Sequence, residues 1–168
     1  QLVISRKFEQ ALPIYQRLVE SKGPRLDLLL GLSESLAGTG KVTEALELAE
    51  KLVKLYPDRG EAFAERAEMK ALQGLNEEAL TDLNQALALQ PRQPWYYVAR
   101  GYTLSDLERY GEAYKDFDSA VNLRPDMPIA LAGRAYVGVL LGKNKQAWND
   151  VSKALQLDPL LVSARHTR

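Results

Sequence analysis

Apolar residues recur at every third or fourth position through most of the chain, which is the spacing of amphipathic helices that bury one face. Short breaks with glycine, proline or polar residues separate these segments. The pattern predicts an all-α protein with no β-sheet. The predicted helices cover residues 8–20, 26–38, 42–55, 61–73, 76–89, 95–107, 110–123, 129–141 and 145–157, and residues 1–5 are predicted to end an earlier helix.

Two residue types recur with a period of 34 positions. The recurring residues are Ala11, Ala45, Ala79, Ala113 and Ala147, and Pro57, Pro91, Pro125 and Pro159. We number each repeat so that these prolines are position 32. The period divides a single array, 1–168, into a partial first repeat at 1–25, four full repeats at 26–59, 60–93, 94–127 and 128–161, and the start of a sixth repeat or cap at 162–168.

The repeat at 94–127 has the most regular pattern. Its positions 4, 8, 11, 20, 24, 27 and 32 hold Tyr97, Gly101, Leu104, Ala113, Phe117, Ala120 and Pro125. This set, at this period, resembles the tetratricopeptide repeat (TPR). The resemblance covers almost the whole chain, with departures at Ser33, Leu52, Lys70 and Gly138. It implies a right-handed superhelical solenoid of antiparallel helix pairs.

Small residues and proline have a direct physical role in such a repeat. Small side chains at positions 8 and 20 let two helices approach closely, because larger ones would overpack the contact at a cost of about 1–3 kcal/mol. Proline at position 32 has no amide hydrogen and ends the second helix. One helix pair cannot bury its apolar faces alone, so successive repeats must stack.

The TPR resemblance implies a protein–protein interaction scaffold, in which the first helices of successive repeats line a concave groove. By that resemblance, the predicted groove is acidic in its N-terminal half and apolar in its C-terminal half. The acidic residues are Asp27, Glu34, Glu61, Glu65 and Glu68, and the apolar ones are Trp95, Tyr102, Ile129 and Tyr136. Such a groove suits a peptide or helix of a partner protein that carries basic residues followed by apolar anchors.

Chaperone-binding TPR proteins hold a terminal carboxylate with lysine, asparagine and arginine on three successive first helices. The matching positions here are Leu30, Glu34, Glu65, Trp95 and Ala99, and one repeat later Ala64, Glu68, Ala99, Ile129 and Gly133. Because none of these residues is a cation, the groove is predicted not to be of the carboxylate-clamp type.

Arginine and aspartate change together between repeats. The residues are Arg66, Arg100 and Arg134 at position 7, and Asp82, Asp116 and Asp150 at position 23. The repeat with Leu32 at position 7 also has Leu48 at position 23. The co-variation favours a structural Arg–Asp pair, within a repeat or between neighbours, over the alternative of a phosphate-binding ladder of arginines.

Catalytic and cofactor chemistry lacks the residues it needs. The chain has no cysteine, its one histidine is His166, and it has no G-x-S-x-G or H-E-x-x-H motif. The segment 38–43 faintly resembles a phosphate-binding loop, but Ser35 and Val42 stand where that motif needs a glycine and a Ser or Thr. We expect no enzyme, no cofactor and no metal site.

Charge and hydropathy narrow the partner classes. There are 22 Lys+Arg and 22 Asp+Glu, so the formal net charge is zero, whereas nucleic-acid binders usually carry a basic excess. The acidic groove also opposes the RNA-binding helical repeats. No apolar run approaches the roughly 18 residues of a membrane span. We therefore expect a protein or peptide partner, no nucleic acid and no direct membrane span.

A second interpretation remains open from the sequence. The array could be a structural spacer, or a self-association segment of a larger multidomain or membrane-associated assembly. The chain is predicted to begin inside a first helix and shows no polar capping helix, so we expect a piece of a longer protein. The compartment is undecided: cytoplasmic is the default, and a periplasmic or membrane-anchored parent is possible.

Overall fold

A computed structural model of the chain describes residues 2–159, with side chains from residue 7 onward. Within these residues it contains nine α-helices and no β-strand. The helices are α1 (Leu2–Lys22), α2 (Leu26–Gly38), α3 (Val42–Leu55), α4 (Gly60–Leu72), α5 (Asn76–Leu89), α6 (Pro94–Asp106), α7 (Tyr110–Leu123), α8 (Pro128–Leu140) and α9 (Asn144–Leu157). The predicted all-α repeat array is confirmed, and from α2 onward each helix end lies within one residue of its prediction.

The N-terminal segment differs from the prediction. We expected residues 1–5 to end one helix and residues 8–20 to form another, but α1 is a single helix over Leu2–Lys22. The prediction of a break in this part of the first repeat was wrong. Position 15, where the later repeats turn, holds Arg6 here and glycine in three of the four full repeats. An arginine can continue a helix, whereas glycine favours the left-handed conformation that ends one.

The same backbone turn joins the two helices of every full repeat. Its residue at position 15 has a positive φ, as in Gly40 (φ 84), Gly74 (φ 78), Glu108 (φ 59) and Gly142 (φ 74). In the first of these turns the amide of Gly40 donates to Ala37 O, and that of Lys41 donates to Leu36 O, both at 2.9 Å. This Schellman arrangement satisfies the last carbonyls of the first helix.

Prolines mark both ends of the repeats. The helices α3, α5, α7 and α9 each end two residues before the proline at position 32. The proline ring clashes with the backbone of the preceding residue and disfavours its helical conformation. Two first helices, α6 and α8, also begin with a proline, whose fixed φ suits the first helical position.

The chain divides into two compact units, Gln1–Leu89 and Gln90–Arg168. We call them unit 1, which contains α1 to α5, and unit 2, which contains α6 to α9. In unit 1 consecutive helices pack on each other, and the first helices α2 and α4 also touch. Unit 2 follows the same order, with α6 touching α8.

The small residues at positions 8 and 20 are buried between packed helices. They are Ser33, Ala67, Gly101 and Ala135 at position 8, and Ala45, Ala79, Ala113 and Ala147 at position 20, and all are buried. The Ser33 hydroxyl donates to the Ala45 carbonyl at 3.3 Å across this contact. The packing role predicted for these positions is therefore observed in each full repeat.

Phe117 is the largest fully buried side chain of unit 2. Its ring lies directly over Gly133 and over Gly101, where an added Cβ would come within 2.9 Å of the ring. The ring of Tyr102 meets Phe117 edge to face, with centroids 5.0 Å apart. One aromatic side chain of α7 thus fills the contact with both α6 and α8.

Candidate functional site

Two ion pairs join the first and second helices of single repeats. Arg100 donates from Nε and Nη2 to the two carboxylate oxygens of Asp116, at 2.7 and 2.8 Å. Arg66 contacts Asp82 in the same way, with Nε at 2.8 Å, and Lys70 Nζ lies 2.9 Å from the same carboxylate. Fork-to-fork contacts of this kind fix geometry as well as adding energy.

Arg134 forms a larger network in unit 2. Its Nε and Nη2 each donate to Asp150 at 2.8 Å, within its own repeat. Its Nη1 donates to Asp118 of the preceding repeat at 2.6 Å. Hydrogen bonding to Asp150, and also to Asp118, raises the pKa of the Arg134 guanidinium, so the group stays charged although it is 9% exposed.

The repeat at 26–59 shows what replaces the ion pair. Leu32 and Leu48 occupy the two positions, and both pack, partly buried, against the cluster that includes Leu36 and Met69. An apolar pair thus stands where the other three repeats place opposite charges. This arrangement favours the structural interpretation of the arginines over a phosphate-binding ladder.

Two of the five acidic groove residues have a local arginine that the sequence analysis missed. Arg25 contacts Asp27 at 3.1 Å, and Arg59 contacts Glu61 at 2.9 Å. Each arginine stands two residues earlier, just before its helix begins, so the signal was an Arg-x-acid pair at a predicted helix start. Each of these two carboxylates thus has a cation beside it at the start of its own helix.

The other three acidic residues, Glu34 of α2 with Glu65 and Glu68 of α4, form what we call the acidic face of unit 1. Glu34 and Glu68 are exposed, whereas Glu65 is partly buried. Its Oε1 is buried and has no hydrogen-bond partner among the described residues. Burial raises the pKa of Glu65 to about 7; a hydrogen bond from Ser33 lowers it, and the Glu68 and Glu34 charges raise it further.

The four apolar residues predicted to line the groove all belong to unit 2, and we call them its aromatic face. Tyr102 is half-buried, and its hydroxyl donates to the Ile129 carbonyl at 3.2 Å, besides its contact with Phe117. This contact brings position 9 of α6 next to position 2 of α8. Trp95, at position 2 of α6, and Tyr136, at position 9 of α8, are each 50% exposed. Trp95 and Tyr136 are therefore accessible to solvent, while Tyr102 contacts other parts of unit 2.

Further exposed apolar side chains extend from this face and from α9. Val139 and Leu140 lie one turn after Tyr136 on α8, and they are 58% and 49% exposed. Trp148 on α9 is 74% exposed, although its counterpart Leu80 in α5 is buried. Sequence could not distinguish these two, because exposure depends on what covers the helix. The predicted start of a sixth repeat at 162–168 lies outside the described residues.

The remaining sequence features concern phosphate binding, metal binding and membrane spans. The segment 38–43 forms the end of α2, a turn and the start of α3, which is not the strand-to-helix loop of a phosphate site. Among residues 2–159 no group of histidine, cysteine and carboxylate side chains could hold a metal ion. In the same part of the chain no helix is long and apolar enough to cross a membrane. His166 lies outside the described residues.

Known proteins give two kinds of match. A family model described as tetratricopeptide repeat matches residues 3–60 and 30–94, which is more than half of the chain, and a second model of that description matches residues 96–127. No curated protein matches the chain.

Solved structures share the fold. TTC0263, a thermophilic TPR protein of Thermus thermophilus, is 24% identical with a TM-score of 0.84, covering 98% of this chain and 90% of that chain. MamA of Desulfovibrio magneticus RS-1 is 20% identical with a TM-score of 0.72, covering 93% of this chain and 92% of that chain. The family match and the repeated helix pairs show that the chain belongs to the tetratricopeptide repeat family, whose fold supports protein-interaction scaffolds in general.

Proposed function

We propose that this chain is a scaffold that binds an extended or helical segment of a partner protein. In this proposal the acidic face of unit 1 binds basic residues of the partner, and the aromatic face of unit 2 binds its apolar residues. The observation that carries the proposal is the exposure of two large aromatic side chains, Trp95 and Tyr136, at groove positions of adjacent first helices.

Exposed aromatic side chains on rigid helices are efficient anchors for a partner. Trp95 is on the same helix as Tyr102, and Tyr136 is on α8, which the Tyr102 hydroxyl contacts at the Ile129 carbonyl. Tryptophan and tyrosine dominate binding energy at interfaces, because they bury a large area and have few rotatable bonds. A partner that covers them removes apolar surface from water without reordering the scaffold.

The acidic face supports selection of a basic segment. Glu34 and Glu68 are exposed, and the cations nearest to the other groove acids, Arg25 and Arg59, are already paired with Asp27 and Glu61. Carboxylates of this kind attract lysine and arginine side chains and act mainly on association rate and specificity. Binding through this face is therefore expected to weaken as salt concentration rises.

Peptides selected from a displayed random library against the full chain provide the test. We expect the selected peptides to combine basic and apolar residues, and Trp95→Ala to raise their Kd at least about 30-fold, the equivalent of a loss of about 2 kcal/mol. Isothermal titration calorimetry measures the change. The matched control is Trp148→Ala, which removes an exposed tryptophan from α9 and should change Kd less than about twofold. Equal losses from both variants would contradict the proposal.

The acidic face has its own matched pair of variants. Glu34→Lys should weaken binding of a basic peptide and reduce its salt dependence, whereas Glu47→Lys places the same change on the exposed surface of α3. If the two reversals act alike, only net charge matters and the acidic face has no specific role.

A further inference from the structure

Position 6, on the first helix of a repeat, adjoins position 24, on the second helix of the preceding repeat. The side chains at these two positions have complementary sizes. In two repeats an aromatic ring packs over a glycine: Tyr15 over Gly31 in unit 1, and Phe117 over Gly133 in unit 2. In the repeat at 60–93, position 6 is Glu65, and the preceding position 24 is the small residue Ala49. A carboxyl group thus stands in the register where two other repeats place a ring above a glycine.

The surroundings of Glu65 stabilise the ionised form of its carboxyl group only weakly. From α2 it meets Ser33 and Glu34, and from its own helix Glu68. The Ser33 hydroxyl, which hydrogen-bonds to this carboxyl, is also within 3.3 Å of the Ala45 carbonyl, so its single proton is shared between two acceptors. Oε1 remains buried without a hydrogen bond among the described residues. An ionised carboxylate in such a place is costly, because burial without a partner removes its hydration.

The charged groups of α3 and α5 that act on α4 are directed elsewhere. Glu50 of α3 and Glu78 of α5 act on Arg66, and Asp82 of α5 is held by Arg66 and Lys70. On its α3 side, α4 packs Met69 into an apolar cluster. The charges acting on Glu65 from the packed elements are therefore the two carboxylates Glu34 and Glu68.

We propose that Glu65 is a proton-dependent latch between α2 and α4: the protonated carboxyl fits the contact, and loss of its proton destabilises unit 1. The latch requires no partner, so it goes beyond the binding function proposed above and stands or fails independently of it. Position 6 holds Gly31, Ala99 or Gly133 in the other full repeats, so the latch is a property of one repeat.

The direction of the pH effect follows from the raised pKa. The carboxyl of Glu65 has a pKa of about 7 in the folded chain, against an ordinary value of 4.5. Between these values the folded state binds a proton that the unfolded state has lost. The stabilisation is therefore complete below about pH 4.5 and is lost as the pH rises through about 7. One proton of linkage changes the folding equilibrium constant by at most about tenfold per pH unit.

Chemical denaturation of the full chain from pH 5 to pH 8 tests the latch. The Glu65→Gln variant keeps the shape of the protonated carboxyl and cannot ionise. The folding equilibrium constant of the wild type should fall by more than about tenfold relative to this variant over the range. Glu47→Gln, at an exposed position on α3, should keep the wild-type dependence. Parallel pH profiles of wild type and Glu65→Gln would overturn the proposal.

A direct titration keeps the proposal testable if Glu65→Gln fails to fold. The side-chain carboxyl carbon of Glu65, assigned through its backbone resonances in the wild-type chain, should titrate in NMR spectra with a midpoint near the pKa of about 7. Glu34→Gln removes one neighbouring charge and should lower that midpoint. A wild-type midpoint below about 5, close to an unperturbed glutamate, would exclude a latch at neutral pH.

Discussion

The repeats at 26–59 and 94–127 share one frame of helices and turns but fill it with different side chains. At positions 7 and 23 the first has Leu32 and Leu48, and the second has the Arg100–Asp116 ion pair. At position 24 the first has Ala49, and the second has Phe117. The helix bounds match within each repeat nonetheless. The frame therefore depends on the small residues and turns, while the remaining core positions can change as matched sets.

The largest loss of stability is expected when position 24 of the repeat at 94–127 receives alanine, the residue that the repeat at 26–59 has there. Phe117→Ala removes a ring that is fully buried between Gly101 and Gly133, which have no side chains to fill the space. We expect a loss of about 3–5 kcal/mol in the free energy of unfolding, measured by chemical denaturation.

Trp148→Ala, which removes a side chain that is 74% exposed, is the control for that loss and should stay within about 0.5 kcal/mol. A loss below about 1 kcal/mol for Phe117→Ala would show that position 24 can change without a matching change at its neighbours, and would contradict the view that the core positions change together.

A medium effect is expected from converting half of the ion pair. Asp116→Leu removes the carboxylate that accepts two hydrogen bonds from the Arg100 guanidinium, whose side chain is 25% exposed. We expect a loss of about 3 kcal/mol in unfolding free energy. The double variant Arg100→Leu with Asp116→Leu copies the apolar pair Leu32 and Leu48, and it should recover to within about 1 kcal/mol of wild type. Additive losses in the double variant would reject the pairing.

The smallest effect is expected at the turn. Glu108 holds position 15 with φ 59, a left-handed conformation that disfavours residues with a Cβ. Glu108→Gly copies Gly40 of the repeat at 26–59 and should raise the unfolding free energy by about 1 kcal/mol. The reverse change, Gly40→Glu, should lower stability by a similar amount. If Glu108→Gly lowers thermal stability instead, the glutamate side chain contributes more than its backbone strain costs.

The sequence predicted the features that recur and missed those that depend on surroundings. Four copies of one register revealed the small residues, the turns and the co-varying Arg–Asp positions, because each copy serves as a control for the others. The partial burial of Glu65 was missed, because its neighbours Ser33 and Glu34 lie on another helix. The 34-residue period does not show that Glu65 faces them, nor that the small residue Ala49 stands at position 24 of the preceding repeat for that reason. The break predicted before residue 8 was also wrong, because α1 continues without interruption through Arg6 at position 15, where Gly40, Gly74, Glu108 and Gly142 form turns.

The groove residues show the same limit in another form. Position alone assigned Tyr102 to a ligand surface, but its hydroxyl reaches the Ile129 carbonyl and its ring meets Phe117. Trp95 at an equally regular position is half exposed. A helical register specifies which face a residue occupies, and only the neighbouring helix decides whether that face is already covered.

The position of Arg134 has a consequence for how unit 2 unfolds. This guanidinium bonds Asp150 of its own repeat and Asp118 of the one before. In a linear array, cooperativity is set by bonds that cross from one repeat to the next. Unfolding of either repeat would break the bond between Arg134 and Asp118, so a state in which only one of the two repeats is folded loses this contact. We therefore expect the two repeats of the segment 94–159 to unfold together more readily than one at a time.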